Sequence, residues 1–303
     1  MDAPDCIPGA RFSVPKSTIP YSKDWYIMDC RHGLALLVSM SQREIVVLDP
    51  LTRQERRVTF PPWLGRGHVC YHAAVVCADT EDGHVHGDCF SRPLKLVSIW
   101  VIEHMNTHTQ AFACLYESAS SLWGDIVSTE CPYDVYCIGP SVLVGNALCW
   151  LLFGGDVVVF DLQTQSLGVI KMPIDNDSYG SIQLLRTDDS RLGLAYLSKL
   201  TIQLWERKSN CDGVVRWVFL HKTIQLEELF PQRIFSDLKT VLITGYDEDT
   251  NVIILSTMIG VFMLQLDSMQ IKHLIKINDL CYANFHPYKN FYTAGKISFV
   301  CIG

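Results

Sequence analysis

One pattern of residues returns along the 303-residue chain, and it restricts the fold more than any other feature of the sequence. Leu34-Ala-Leu-Leu-Val38, a turn, then Glu44-Ile-Val-Val-Leu-Asp49-Pro-Leu-Thr52 form the first copy. Cys149-Trp-Leu-Leu-Phe153 and Asp156-Val-Val-Val-Phe-Asp161-Leu-Gln-Thr164 form the second. Leu194-Ala-Tyr-Leu-Ser198 with Thr201-Ile-Gln-Leu-Trp-Glu206 is a third, and Val252-Ile-Ile-Leu-Ser256 with Val261-Phe-Met-Leu-Gln-Leu-Asp267 a fourth. A more divergent copy runs through Leu96–Glu103 and Ala111–Tyr116. Each reads as an apolar strand, a tight turn, a second apolar strand ending on an acid, another turn and a third strand. Asp49 and Asp267 stand 218 residues apart over four steps, a mean of about 54. That lies near the kelch-type period of about 50 and above the roughly 40–45 of WD40 blades. The strands are apolar on both faces, as in a blade sandwiched between two others rather than a sheet with one wet face. The expected fold is all-β, a single β-propeller of kelch-like blades. Six blades suit the length best, and five is the other count the repeat allows.

The recurrent acid has a structural explanation. An Asp followed by a turn that closes on Thr (Thr52, Thr164) can accept backbone N–H bonds two residues on and so set the hairpin. Catalysis would not require one carboxylate per blade. The composition is that of a globular protein, with 49% apolar and 19% charged residues. A net charge of −7 without a Lys/Arg stripe argues against nucleic acid as a partner. The first twenty residues lack the basic and apolar regions of a secretory signal. Of the two most apolar stretches, Val142–Phe160 is interrupted by glycines and an Asp, and Val252–Leu266 is short for a bilayer, so no membrane segment is expected. The twelve cysteines are then expected as reduced thiols, several acting as small core hydrophobes (Cys77, Cys114, Cys149), in a cytoplasmic or nuclear protein.

Catalytic signatures are missing: there is no Gly-x-Ser-x-Gly, no His-Glu-x-x-His, no phosphate loop and no dinucleotide fingerprint. Asp82-Gly-His84-Val-His86-Gly-Asp88-Cys89 is the best metal candidate, because alternate residues of a strand can share an ion. Its Gly and Asp content favours a solvated loop, and Cys70/Cys77 and Cys131/Cys137 lack Cys-x-x-Cys spacing, so no metal and no cofactor are expected. Trp100, Trp150 and Trp205 lie inside repeated strands and are assigned to the core. Trp63 and Trp123 lie in connections and are better surface anchors, since aromatic residues dominate interface energies. Together with His68, His84, His86 and Tyr179 they are the candidate partner-binding residues; all but Trp123 lie on the connections 63–68, 80–92 and 175–179, the expected binding face.

Five further runs, in order, are specific enough to resemble a family. Asp29-Cys-Arg-His-Gly-Leu-Ala-Leu-Leu37 followed by Ile45-Val-Val-Leu-Asp-Pro-Leu-Thr52 is the first, and Thr109–Ser118 leading into Trp123-Gly-Asp125 the second. Pro140-Ser-Val-Leu-Val-Gly145, Leu204-Trp-Glu-Arg-Lys208 and His286-Pro-Tyr-Lys-Asn-Phe-Tyr-Thr-Ala-Gly295 complete the series. They resemble the large plant F-box protein family expanded in grasses, over nearly the whole chain. The resemblance implies a kelch-like F-box-associated propeller over residues 25–303. It also implies an irregular segment over 1–24, a linker remnant without the F-box, whose first or last blade can be incomplete. The implied function is a non-enzymatic interaction module, the substrate-recognition propeller of an SCF-type ubiquitin ligase. Its partner is an unidentified target protein, and a Skp1-like adaptor and cullin join only where an F-box is supplied or replaced. A monomer is expected. The alternatives are a propeller hydrolase using channel carboxylates and a stand-alone scaffold.

Overall fold

Runs of Val, Ile, Leu and aromatic residues suit a pleated, buried backbone, and every copy of the repeated motif forms two adjacent antiparallel strands in the computed structural model of the chain. The structure describes residues 9–12, 25–62, 64, 70–78, 86, 89–104, 108–131, 137–153, 155–173, 181–187, 189–209, 212–230, 240–276, 285–288 and 298–301. A first sheet runs in the order β1 (Trp25–Arg31), β2 (Leu34–Ser39), β3 (Glu44–Leu48) and β4 (Glu55–Thr59). The second contains β5 (Cys70–Cys77), β6 (Leu94–His104) and β7 (His108–Glu117), whose far edge is shared by the short β8 (Leu122–Trp123) and β9 (Val127–Cys131). The third comprises β10 (Cys137–Val144), β11 (Ala147–Leu152), β12 (Val157–Asp161) and β13 (Ser166–Ile170). The fourth comprises β14 (Ser181–Arg186), β15 (Leu192–Ser198), β16 (Thr201–Ser209) and β17 (Val215–Gln225), followed by a single helical turn, α1 (Leu226–Leu229). The fifth comprises β18 (Val241–Asp247), β19 (Val252–Thr257), β20 (Gly260–Gln265) and β21 (Ile271–Ile275), and β22 (Phe285–Tyr288) pairs with β23 (Ser298–Cys301).

The fold is an all-β propeller, and the described residues form five blades, the smaller of the two counts the repeat allows rather than the preferred six. The extra length lies in long strands such as the eleven-residue β6 and β17 and in the separate β22–β23 pair. The first blade has its full four strands. The repeated motif also covers less of a blade than its reading implied. It marks only the two central strands, β2–β3, β6–β7, β11–β12, β15–β16 and β19–β20. Those strands are the most buried, β2 at every position, whereas β4 (ERRVT) and β21 (IKHLI) are mostly half-exposed and carry no apolar run. Among the described residues no helix is long and apolar enough to cross a membrane.

The chain divides into two compact units: Met1–Tyr136 with Gln165–Leu167 and His286–Ile302, and Cys137–Thr164 with Gly168–Phe285 and Gly303. In the first unit, Leu36, Val38, Val47, Val75, Leu96 and Cys114 form a core between the sheets of β2 and β6. Tyr288, from far along the chain, belongs to a second cluster with Phe12, Ile27, Ala35, Leu37, Val46 and Leu48, its hydroxyl donating to the Gly33 carbonyl at 3.1 Å and its ring edge-on to Phe12. In the second unit, Leu151, Leu194, Leu204, Ile253 and Leu264 belong to one continuous cluster.

The first strands of neighbouring blades lie beside one another within each unit, and side chains satisfy their edge backbone groups. Asp29 on β1 accepts the Val75 N–H of β5 at 3.0 Å and the guanidinium of Arg31 at 2.8 Å, all buried. His32, just after β1, accepts the Cys77 N–H at 3.1 Å through Nδ1. In the second unit the Ser181 hydroxyl accepts the Ile243 N–H and donates to the Ile243 carbonyl. The Tyr246 hydroxyl accepts the Arg186 N–H and donates to its carbonyl, and Glu248, after β18 of the fifth blade, accepts the N–H of Leu143 on β10 of the third at 2.8 Å. A buried edge N–H left without a partner costs about 1–3 kcal/mol, so each of these side chains counts. Close approach matters as well: a Cβ added at Gly245 would lie 2.5 Å from the Phe285 carbonyl oxygen, a separation real Cβ atoms do not adopt.

The turns after the central strands use the Asp-x-x-Thr device. Asp49 accepts the Leu51 N–H at 2.8 Å and the Thr52 hydroxyl at 2.7 Å, and Asp161 accepts the N–H groups of Gln163 and Thr164. Asp247 repeats the arrangement with Asp249 and Thr250, at the turn between β18 and β19. In all three, the fifth residue (Arg53, Gln165, Asn251) has φ between 51 and 64°, the left-handed region that disfavours a Cβ.

Two outcomes are expected in urea unfolding. Asp29→Ala removes the carboxylate bonded by both Arg31 and Val75, and lowers stability by about 3 kcal/mol or more. Asp49→Ala lowers it by about 1–2 kcal/mol, while Gln165→Gly relieves the left-handed backbone and raises it by about 0.5 kcal/mol.

Candidate functional site

Trp123 is the partner-binding candidate the structure describes most fully. Its Nε1–H donates to the Thr59 carbonyl at the end of β4 at 3.0 Å, and its ring is tilted against Tyr116 at 5.3 Å. The same device recurs in the second unit, where Trp217 Nε1–H donates to the Lys171 carbonyl at 2.9 Å. The indole therefore ties a blade edge to its neighbour while staying half-buried. Around it the edge strand of the second blade breaks between β8 and β9, Gly124 N–H bonding the Leu115 carbonyl. Leu122, 67% exposed, and Ile126, 41% exposed, flank the indole. Large apolar side chains this open, next in sequence to an anchored aromatic residue, mark this edge as a candidate interaction surface.

His86 is the other described candidate. It is exposed, and its ring stacks on that of His32 with centroids 3.8 Å apart. Its Nδ1 lies 3.5 Å from Cys89 Sγ, and donor atoms of Cys77, His86 and Cys89 all fall within 4.8 Å of one another. The signal for this cluster in the sequence is the step His86-Gly-Asp-Cys89, not the alternate pair His84 and His86 and not a Cys-x-x-Cys spacing. Trp63, His68, His84 and Tyr179 lie outside the described residues. The core assignments are met by Trp100 and Trp150, both buried, and by Trp205, which is half-buried but packs against the second unit's core, its ring 5.2 Å from Phe219.

A polar cleft of about 660 Å³ opens in the second unit, lined among others by Arg186, Glu248, Asp249 and Asp267. Its acids are committed to structure. Glu248 accepts the Leu143 N–H, Asp249 lies 3.6 Å from Arg186, and Asp267 accepts from Asn251 and Gln265. Burial pushes the thiols of Cys114 and Cys149 up to about 12, and that of Cys30 well above its ordinary value, so these are weak nucleophiles at neutral pH. The backbone N–H of Thr164 holds the Asp161 carboxyl below its usual range, a consequence of the turn. His286 is buried in the first unit, its Nδ1 has no hydrogen-bond partner among the described residues, and burial, with a smaller effect from His72, lowers its pKa to about 4.

Residues 26–293 match the family model of the F-box protein AT5G49610-like β-propeller. No curated protein sequence matches the chain. Solved structures superpose at low identity. The β-propeller domain of Cps50 (Swd1) from Myceliophthora thermophila is 11% identical, with 95% of this chain and 99% of that one covered and a TM-score of 0.43. The extracellular domain of the hybrid two-component system BT4673 from B. thetaiotaomicron is 14% identical, with a TM-score of 0.39. That superposition covers 87% of this chain, which spans only 29% of the bacterial one.

The environment of His286 fixes a pH dependence. Its imidazole protonates near pH 6.5 in the unfolded chain and only near 4 in the fold, so the unfolded state takes up the proton first. The stability it contributes is whole above pH 6.5 and is lost as pH falls toward 4, by about 3 kcal/mol. Urea midpoints measured from pH 7 to pH 4 are expected to show that decline, and His286→Asn is expected to flatten it.

Proposed function

This chain belongs to the family of F-box protein AT5G49610-like β-propellers, and on that premise we propose that it is a non-enzymatic protein-interaction module. The match over residues 26–293 is the observation that carries the reading. Within it, the chain is the substrate-recognition propeller of an SCF-type ubiquitin-ligase receptor in a plant cell, acting in the cytoplasm or nucleus. An F-box, joined to the propeller or supplied by a partner, brings in the Skp1-like adaptor and cullin, and the propeller holds the target. Three features support binding rather than chemistry: acids of the polar cleft are occupied in structural bonds, the described thiols with raised pKa are poor nucleophiles, and exposed Leu122 and Ile126 lie on either side of Trp123 in the sequence. We assign the target contact to Leu122, Trp123 and Ile126, where desolvating open apolar surface favours association.

The test is capture by the tagged chain from plant extract, with Leu122→Asp/Ile126→Asp as the comparison and mass spectrometry as the readout. Both substituted side chains are exposed, so the variant is expected to fold. The expected result is at least one protein recovered by the natural sequence and reduced about tenfold or more by the variant. The same protein is then ubiquitylated when an F-box is fused to the chain. Equal recovery by both chains overturns the assigned contact, and a bound protein that is never ubiquitylated overturns the ligase reading.

A further inference from the structure

The cluster at the β5–β6 connection has the chemistry of a metal site. Cys77 is the last residue of β5 and buried, Cys89 is fully buried five residues before β6, and His86 is exposed above them. Two thiols and one imidazole are the donor set that selects zinc over hard cations, which take oxygen ligands. The spacing is suitable too. His86-x-x-Cys89 has the ligand step of a Cys-x-x-Cys knuckle, and Cys77 supplies the third ligand from the strand end.

The distances agree with a tetrahedron. Zinc–sulfur bonds of about 2.3 Å and zinc–nitrogen bonds of about 2.0–2.1 Å at the tetrahedral angle put the donor atoms about 3.5 Å apart. Cys89 Sγ and His86 Nδ1 are separated by 3.5 Å, and the Cys77 donor lies within 4.8 Å of both. The two rings are also braced: His32 stacks on His86 at an interplanar angle of 9°, while its own Nδ1 is fixed by the Cys77 N–H. A ligand imidazole held in orientation by a neighbouring group is typical of a metal's outer shell.

We propose that Cys77, His86 and Cys89 bind one zinc ion, with a water molecule at the fourth position on the exposed His86 side. Binding replaces the two thiol protons, which leave to solvent, and the dithiolate neutralises the charge of the ion. The ion closes the connection between β5 and β6 upon the end of β5. That connection includes His86, one of the residues considered for partner binding, so the zinc site and the expected partner contact share a side chain.

The test uses the full chain, stripped of metal under reducing conditions, then supplied with zinc chloride and desalted. One zinc per chain is expected to remain, with release of two protons and a rise in the thermal midpoint of about 4 °C at zinc about 100-fold above its dissociation constant. Cobalt in place of zinc is expected to show thiolate-to-metal charge-transfer absorption of a two-sulfur tetrahedral site. His86→Gln changes an exposed side chain; it is expected to leave the metal-free midpoint unchanged and to weaken zinc binding at least tenfold. Cys89→Ser is expected to lower the charge-transfer absorption by half or more in any folded fraction. Retention of zinc below one equivalent, the same affinity in His86→Gln, or cobalt spectra without thiolate bands would each overturn the assignment.

Discussion

The first-strand edge is the constraint on which the rest of each unit depends. A blade's first strand has one sheet neighbour; its other edge, turned to the next blade, carries N–H and C=O groups without a ladder. If that edge is buried it must still be satisfied, because an orphaned backbone group there costs as much as a good side-chain contact returns. Asp29 and His32 meet the need for Val75 and Cys77, and Ser181, Tyr246 and Glu248 meet it for Ile243, Arg186 and Leu143. Packing then follows. With the edges closed by side chains, the apolar central strands of neighbouring sheets can be brought into contact within each unit.

The visibility of this arrangement in the sequence differs by strand. Central strands are apolar on both faces because both faces are covered, and they stand out as runs such as Ile45-Val-Val-Leu48. The outer strands escape notice for the opposite reason. Ile271-Lys-His-Leu-Ile275 faces solvent along much of its length, so nothing in its composition separates it from a loop. First strands are obscured by their tethers: β1 carries Asp29 and a register shift between Ile27 and Asp29, and β18 a shift at Gly245 against Phe285. The Asp-x-x-Thr turns were readable because their bonds are local. Asp247, by contrast, sits after a first strand, where a search for acids closing a central strand does not look.

Site residues were less legible, since what decides them is contact between distant segments. Trp123 lies near Thr59 only because two blades meet, and its indole is as much a tie as an anchor. Nothing in the local sequence separates those roles; the exposure of Leu122 and Ile126 does. Cys77 similarly looked like a core hydrophobe when considered alone. It becomes a candidate ligand because twelve residues later the chain returns Cys89 to the same point with His86 beside it.

The tethers also account for how nearly equivalent blades are distinguished. Val, Leu and Ile on the central strands of one blade would pack acceptably against those of several others, so the cores carry little information about which blade lies next to which. The edge contacts are different in kind. An aspartate and a histidine join β1 to β5 in the first unit, and a serine and a tyrosine join β14 to β18 in the second. Exchanging partners would leave Asp29 and Arg31 buried against an edge with no suitably placed N–H, a penalty far larger than any gain from repacking aliphatic side chains. Sequence order within a unit is thus enforced where the blades are least alike, by polar groups whose geometry admits one neighbour. The repeated apolar pattern supplies the cohesion but could not supply that choice.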